Sequence, residues 1–239
     1  MTIETIRERL EKNRIPFQDE LPEKLNRYLF MLREWNSRMD LTAVTDDDET
    51  LDKHMIDSLT VLNTGFLCTN ACVIDVGTGA GFPGMVLAMA RPDLHITLMD
   101  SQRKRLSFLE AVSRETQTEN IDIIHSRAED GARKKELREM FDIAAARALA
   151  PMNVLCEYLL PYVKIGGRAL CWKGPALKDE LDSGRRAVKV LGGQLEAPVA
   201  CPVEGRKWEH MILPIRKIAS TPALYPRKPG VPKNKPLGI

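Results

Sequence analysis

The stretch Val73-Ile74-Asp75-Val76-Gly77-Thr78-Gly79-Ala80-Gly81-Phe82-Pro83-Gly84 decides the fold of this chain. A short apolar run of the kind found in buried strands is followed by a series of glycines, and Pro83 then stands where a helix can begin. Because glycine has no side chain, a ligand can approach the backbone of such a turn closely. The stretch therefore predicts a buried strand, a ligand-binding turn and a helix in direct succession.

Short apolar runs and helical stretches alternate from this point to the end of the domain. The runs predict strands at 72–76, 95–99, 121–126, 141–146, 167–172, 194–201 and 207–215, with helices at 82–91, 103–115, 131–139, 151–163 and 176–191. Alternation of this kind is typical of βαβ units. We therefore expect an α/β, Rossmann-like fold with a mostly parallel seven-stranded sheet and helices on both of its faces.

The two ends of the chain differ from this central pattern. Apolar spacing predicts helices at 2–13, 21–39 and 47–62, whereas the last twenty residues contain five prolines and no acidic residue and predict an extended tail. The expected organisation is an N-terminal helical extension packed on the core (1–65), a Rossmann-like domain (66–219) and a Pro-rich basic tail (220–239).

The residues around the glycine turn indicate the class of ligand. Asp100 ends the second predicted strand, 19 positions after Gly81, where nucleotide-binding folds place an acid that binds ribose hydroxyls. A carboxylate at Asp75 would repel a pyrophosphate and suits a ligand with an ammonium group. This pattern resembles the S-adenosylmethionine-dependent methyltransferases. NAD(P) binding and a glycine-rich turn without a ligand remain alternatives.

Other polar residues follow the same predicted sheet edge or the helix before it. Glu129 could accept a hydrogen bond from the exocyclic amine of adenine, start a helix, or do both. Arg147, at the end of the fourth strand, needs an anion, which could be the ligand carboxylate, a nucleic-acid phosphate or an acid of the sheet edge. His54 and Asp57 share a helix face and either line the mouth of the site or pin the helix to the sheet. Lys173, after the fifth strand, could contact RNA phosphate.

Charge and composition exclude several other classes of protein. The 35 basic and 33 acidic side chains give a net charge of +2, but residues 1–70 carry 9 basic and 14 acidic groups, and residues 220–239 carry 4 basic groups and no acid. The N-terminal fourteen residues contain no apolar signal segment, and Asp75 and Pro83 interrupt the one window that could suggest a membrane span. The odd number of cysteines and the scattered histidines predict a cytoplasmic protein with reduced thiols and no metal site.

Several longer motifs resemble the RsmG (GidB) family of bacterial 16S rRNA guanine-N7 methyltransferases. They are Trp35-Asn36, Met39 to Thr45, Lys53-His54-Met55-Ile56-Asp57-Ser58-Leu59, the turn Asp75 to Gly84, Ser126 to Glu129, Ala146-Arg147-Ala148, Arg227 to Pro232, and Pro236-Leu237. The chain departs from the family at Asp40, where Asn is usual, so any role of that side chain as an amide donor is in doubt.

The resemblance implies a substrate, a cofactor and a set of site residues. The substrate would be a guanine in the 530 loop of 16S rRNA in the small ribosomal subunit, methylated at N7 without a general base. S-adenosylmethionine would contact Gly77, Gly79, Phe82, Asp100, Ala128, Glu129 and Arg147. We predict Arg147 and His54 as catalytic residues, and Lys173, Arg227, Lys228, Lys233 and Lys235 as RNA-binding residues. A monomer is expected. The alternatives are a methyltransferase of another RNA or of a small molecule, and a non-catalytic binding module.

Overall fold

The fold is described by a computed structural model for residues 1–44 and 46–238. Thr45 of the motif that begins at Met39, and Ile239 at the end of the predicted tail, lie outside the described residues. The strands are β1 (Cys72–Val76), β2 (His95–Asp100), β3 (Ile121–His125), β4 (Phe141–Arg147), β5 (Val163–Lys173), β6 (Gly193–Leu195), β7 (Val199–Ala200) and β8 (Met211–Lys217).

Helices precede, connect and follow these strands. They are α1 (Ile3–Lys12), α2 (Leu21–Met39), α3 (Asp47–Thr50), α4 (Asp57–Leu59), α5 (Gly84–Ala90), α6 (Arg103–Thr116), α7 (Ala128–Gly131), α8 (Met152–Leu159), α9 (Leu177–Val190) and α10 (Val231–Asn234). A π-helical segment (Leu51–Ile56) joins α3 to α4, and a 3-10 turn (Thr60–Asn63) follows, so one helical rod runs from residue 47 to 63.

Within the described residues, one sheet has the strand order β3-β2-β1-β4-β5-β8-β6, and β7 pairs with β8 beside this path. The first five strands in this order are parallel, and β8 is antiparallel to its neighbours. The α/β, Rossmann-like prediction is therefore confirmed, although the sheet of the described residues has eight strands where seven were expected. The predicted strand 194–201 is interrupted, because Pro198 has no N–H to donate to the ladder.

The N-terminal helices pack on the helices that follow β1 and β2. A single cluster of buried apolar side chains includes Tyr28 of α2, Met85 of α5 and Leu106 of α6. Asp40 ends α2 with φ +47°, a left-handed conformation that Asn and Asp both adopt readily, so the Asp keeps the backbone role that Asn would have there. The division at residues 65/66 and 219/220 stays a prediction.

The tail is folded, and the prediction of an extended tail is wrong. Arg138 donates to the carbonyl oxygens of Thr221 (2.7 Å) and Tyr225 (2.9 Å), and short helix α10 follows. Pro226 and Pro232 are buried. The prolines therefore shape a segment that packs against the domain, because side chains far away in sequence satisfy its backbone.

Two boundaries inside the domain also differ from the predictions. The helix expected at 131–139 is replaced by α7 and turns, since residues 133–136 are all exposed and leave too narrow an apolar face for a longer helix. The last strand begins at Met211 and not at Lys207. Trp208 and His210 instead stack on each other in the preceding loop, with ring centroids 5.6 Å apart.

Candidate functional site

The glycine turn after β1 adopts backbone conformations that require glycine. Gly77, Gly79 and Gly81 have φ values of +71°, +60° and +99°. The N–H groups of Gly77 and Thr78 both donate to the carbonyl oxygen of Met99 at the end of β2, at 2.8 and 2.9 Å. The turn is thereby held at the carboxyl edge of the sheet, where open α/β folds bind their ligands.

Asp75 holds the turn from beneath. Its Oδ2 accepts hydrogen bonds from the Thr78 hydroxyl (2.6 Å) and from the N–H of Gly84 at the start of α5 (2.8 Å). The residue is fully buried, so it does not face a ligand ammonium group as the sequence suggested. Burial raises the pKa of this carboxyl from 3.8 to about 6, although the bonds from Thr78 and Gly84 act in the opposite direction.

This burial predicts a pH-dependent stability that Asp75→Asn should remove. Because the native pKa of about 6 lies above the unfolded value of 3.8, the native state keeps a proton that the unfolded state loses between those pH values. The contribution of Asp75 to the unfolding free energy should therefore fall by about 2 kcal/mol as the pH rises from 4 to 6, out of about 3 kcal/mol for the whole separation of the two pKa values. Urea unfolding across this range should show the variant gaining stability relative to wild type. Asp122→Asn, at an exposed site on β3, is the control, and a pH-independent difference for Asp75→Asn would contradict the prediction.

A first cavity, of about 250 Å³, lies over the carboxyl ends of β1, β2 and β3. We call it the cofactor cavity, and its walls include Val76, Gly77, Met99, Asp100, Arg105, Ala128, Glu129, Leu149, Tyr158, Gly230 and Lys233. Four of the predicted cofactor-binding residues are among them: Gly77, Asp100, Ala128 and Glu129. Apolar walls and two carboxylates fit an adenosyl group, whose ribose hydroxyls and exocyclic amine are donors.

Backbone donors orient both carboxylates of this cavity. Asp100 accepts from the N–H groups of Gly79 (3.0 Å) and Gln102 (2.8 Å). Glu129 accepts from the N–H of Gly230 in the tail at 2.9 Å. Gly79 itself is not a wall of the cavity, so its part in the site is to position Asp100 through this bond.

A second cavity, of about 290 Å³, lies beside the first over the ends of β4 and β5. It is lined by Lys53, His54, Asp57, Arg147, Ala148, Ala150, Leu155, Trp172, Lys173, Gly174 and His210. The structure thus brings His54 together with Arg147 and Lys173. The sequence predicted the last two at this edge and left open whether His54 lines the site or pins its helix to the sheet. Neither Trp172 nor His210 was singled out from the sequence.

Arg147 is the centre of a hydrogen-bonded cluster in the second cavity. Nη1 donates to the carbonyl oxygen of Lys53 (2.6 Å) and to Asp57 (3.2 Å), and Nη2 donates to Nδ1 of His54 (2.6 Å). The guanidinium also lies 5.6 Å from the centre of the Phe82 ring. Asp57 is 2% exposed and accepts a further bond from His210 at 2.7 Å, so this carboxylate is paired on both oxygens.

His54 is held as a neutral ring whose two nitrogens are both engaged. Since Nδ1 accepts from Arg147, the proton is on Nε2, which donates to the Thr42 hydroxyl at 2.9 Å. Burial and the neighbouring Arg147 lower the pKa of His54 from 6.5 to about 3. His54 therefore serves to fix the guanidinium and is not placed to take up a proton.

Phe82 and Arg147 lie outside the cofactor cavity. The Phe82 ring is 6% exposed and stacks between Tyr28 and His54, at centroid distances of 5.5 and 5.0 Å. Arg147 is drawn into the second cavity by Asp57 and His54, so the acid that pairs with it comes from the N-terminal helical region. Neither residue is a wall of the cofactor cavity, and their contacts with the cofactor stay predictions.

The predicted RNA-binding residues occupy different environments. Lys173 donates to Glu180 (2.6 Å) and to the carbonyl oxygen of Ala150 (3.1 Å). Arg227 pairs with Glu157 at 2.7 Å, and because that carboxylate is fully buried it needs a cation. Arg227 thus has a structural partner within the chain, and its contact with RNA stays a prediction. The remaining three lysines of the tail are exposed, namely Lys228, Lys233 and Lys235.

Residues 1–44 and 46–238 contain no helix that is both long and apolar enough to span a membrane. The same residues contain no group of three or more His, Cys, Asp or Glu side chains arranged to hold a metal ion.

Comparisons with known proteins agree with the geometry. Residues 21–208 match the family model of rRNA small subunit methyltransferase G (GidB). The chain is 45% identical over 221 residues to the ribosomal RNA small subunit methyltransferase G of Clostridium perfringens (strain SM101 / Type A), with 92% of each chain covered. The protein of the same name from Alkaliphilus oremlandii (strain OhILAs) is 44% identical over 223 residues, with 93% of each covered.

A solved structure shows the same fold. The 16S rRNA (adenine(1408)-N(1))-methyltransferase from Catenulisporales acidiphilia, a variant with cosubstrate SAM, is similar with a TM-score of 0.53 at 15% identity. The match covers 64% of this chain and 87% of that chain.

Proposed function

The chain belongs to the rRNA small subunit methyltransferase G family, and from this premise we propose that it methylates N7 of a guanine in the 530 loop of 16S rRNA. S-adenosylmethionine is the methyl donor of this family's reaction, and small-subunit rRNA is the substrate. The choice of guanine, of its N7 atom and of the 530 loop is what we propose beyond membership of the family.

The observation that carries the proposal is the adjacency of the two cavities. Leu149 is a wall of the cofactor cavity, whereas Arg147, Ala148 and Ala150 are walls of the second cavity. One short segment after β4 therefore separates a site suited to an adenosyl group from a site suited to a base. A methyl donor in the first cavity and an acceptor in the second can approach each other over this segment. It lies at the carboxyl ends of the parallel strands, where open α/β sheets bind their ligands.

The residues of the second cavity support direct transfer by positioning. S-adenosylmethionine, when bound, supplies an electrophilic sulfonium methyl group. Guanine N7 carries an in-plane lone pair and no proton, so no base has to act before attack. This agrees with His54, whose ring is neutral and engaged at both nitrogens. Arg147 and Asp57 form a fixed polar wall against which a base can be oriented, and orientation of this kind can lower a barrier by about 7–11 kcal/mol.

The cellular setting follows from the substrate. A chain that modifies 16S rRNA acts on the small ribosomal subunit or its precursors, so we expect it in the cytoplasm. A monomer is sufficient for the proposal, because both cavities are built from one chain.

The proposal is tested by methylating purified 16S rRNA and small subunits with S-adenosylmethionine labelled in its methyl group. We expect the label in one guanine of the 530 loop. Borohydride and aniline should then cleave the RNA strand at that position, since this treatment breaks the chain at 7-methylguanosine. Label on another base, or a labelled guanine that resists cleavage, would contradict the proposal. Comparing RNA from cells with and without the gene extends the test.

A further inference from the structure

The folded tail forms part of the cofactor cavity. Gly230 and Lys233 are walls of this cavity together with Asp100, Ala128 and Glu129. Gly230 also donates its N–H to Oε1 of Glu129 at 2.9 Å, so the tail contacts the carboxylate expected to recognise adenine. A segment whose basic residues the family resemblance assigned to RNA thus forms part of the wall of a cavity suited to a small molecule.

The docking of this segment is specific. The Arg227 side chain and backbone N–H both donate to Glu157, at distances from 2.7 to 3.1 Å, and the carboxylate is fully buried on α8. Upstream, Arg138 binds the carbonyl oxygens of Thr221 and Tyr225. These contacts fix the chain on both sides of Pro226, and they bring Lys233 to the cavity.

We propose that residues 227–234 are a binding element for the adenosyl group of the cofactor, with Lys233 as a cofactor-site residue. The inference rests on the proposed function for the identity of the ligand. The four methylene groups of Lys233 cover the adenosyl group while its ammonium stays in water, a common arrangement for lysine at apolar surfaces. Glu129 has two carboxylate oxygens, so Oε1 can accept from the N–H of Gly230 while Oε2 accepts a hydrogen bond from the adenine amine.

This arrangement couples cofactor binding to tail docking. If the docked tail raises the affinity for the cofactor, the bound cofactor must stabilise the docked tail by the same factor. The rate of trypsin cleavage in the tail measures this stabilisation of the docked state. Trypsin can cleave after Arg227 and Lys233, whereas Lys228 and Lys235 each precede a proline and resist it. We expect S-adenosylhomocysteine to slow both cleavages, measured by mass spectrometry of the intact chain.

Calorimetric titration with S-adenosylhomocysteine, without RNA, tests whether the side chain of Lys233 contributes to cofactor binding and whether its apolar part suffices. Lys233→Ala should weaken the affinity about three- to tenfold, because it uncovers apolar surface of the ligand. Lys233→Met keeps a long apolar side chain and should bind within about twofold of wild type. Lys189→Ala, an exposed lysine on α9, is the matched control and should bind like wild type.

Three outcomes are informative. Weaker binding by Lys233→Ala, with recovery in Lys233→Met, supports the proposal. If both variants bind S-adenosylhomocysteine like wild type but lose affinity for RNA, the proposal is overturned and Lys233 is an RNA contact. If wild-type protein binds S-adenosylhomocysteine but the ligand gives no protection from trypsin, the coupling is overturned while the proposed function stands. Failure of the proposed function would appear separately, as absence of guanine-N7 product.

Discussion

Arg147→Ala should lower kcat for rRNA methylation at least about 100-fold, while the Kd for S-adenosylhomocysteine stays within about twofold of wild type. The reason is that the guanidinium lies in the second cavity, where it binds Lys53, Asp57 and His54, and is not a wall of the cofactor cavity. Single-turnover kinetics and calorimetric titration measure the two quantities. A loss of cofactor affinity as large as the loss of kcat would instead place Arg147 on the cofactor.

Arg147→Lys is the matched variant that separates charge from geometry. Removing the arginine leaves the buried carboxylate of Asp57 with His210 alone, and breaking a buried pair costs roughly 3–5 kcal/mol of stability. Lysine restores a cation, but its three donors are on one nitrogen and cannot reproduce the planar fork with which Nη1 and Nη2 of the guanidinium reach Lys53, Asp57 and His54 together. We therefore expect Arg147→Lys to recover much of the stability and little of kcat. Equal recovery of both would mean that charge alone is required.

Sequence reasoning succeeded where the relevant interactions are local. The glycine turn, the acid at the end of β2 and the residues after β3 all lie at the carboxyl ends of neighbouring parallel strands. Their shared edge follows from the topology, and Gly77, Asp100 and Glu129 do meet at one cavity. The same reasoning placed Arg147 and Lys173 at this edge, where they line the adjacent cavity.

Features that depend on distant partners could not be read from spacing. His210 meets Asp57 across 153 positions, and Arg227 meets Glu157 across 70, so no periodic pattern contains either pair. Phe82 belongs to the turn motif, yet the rings of Tyr28 and His54 hold it away from the cofactor cavity. In each case the partner comes from the N-terminal helices, the tail or the loop before β8, whose positions the sequence left undetermined.

The support of the glycine turn by α2 leads to the largest expected effect on stability. Tyr28 donates its hydroxyl to the carbonyl oxygen of Ala80 and packs directly on Gly81. A Cβ at Gly81 would overlap that hydroxyl and would lie 2.7 Å from a methyl group of Leu109 and 2.9 Å from Cβ of Met85. The residue also has φ +99°, which side chains rarely adopt.

Gly81→Ala should therefore destabilise the protein by more than about 4 kcal/mol, or prevent folding, since the buried ring of Tyr28 and the Cβ of Met85 cannot move aside. Gly79→Ala is the matched control. It has φ +60°, but the nearest atom to its added Cβ is a carbonyl oxygen at 3.9 Å, so only the conformational cost of about 1–2 kcal/mol applies. Urea unfolding of the two variants measures the difference. If they lose equal stability, backbone conformation alone explains glycine in this turn, and the packing of Tyr28 on Gly81 contributes nothing. A large excess loss in Gly81→Ala would mean that the close packing of Tyr28, Leu109 and Met85 requires glycine at this position in addition to the backbone conformation.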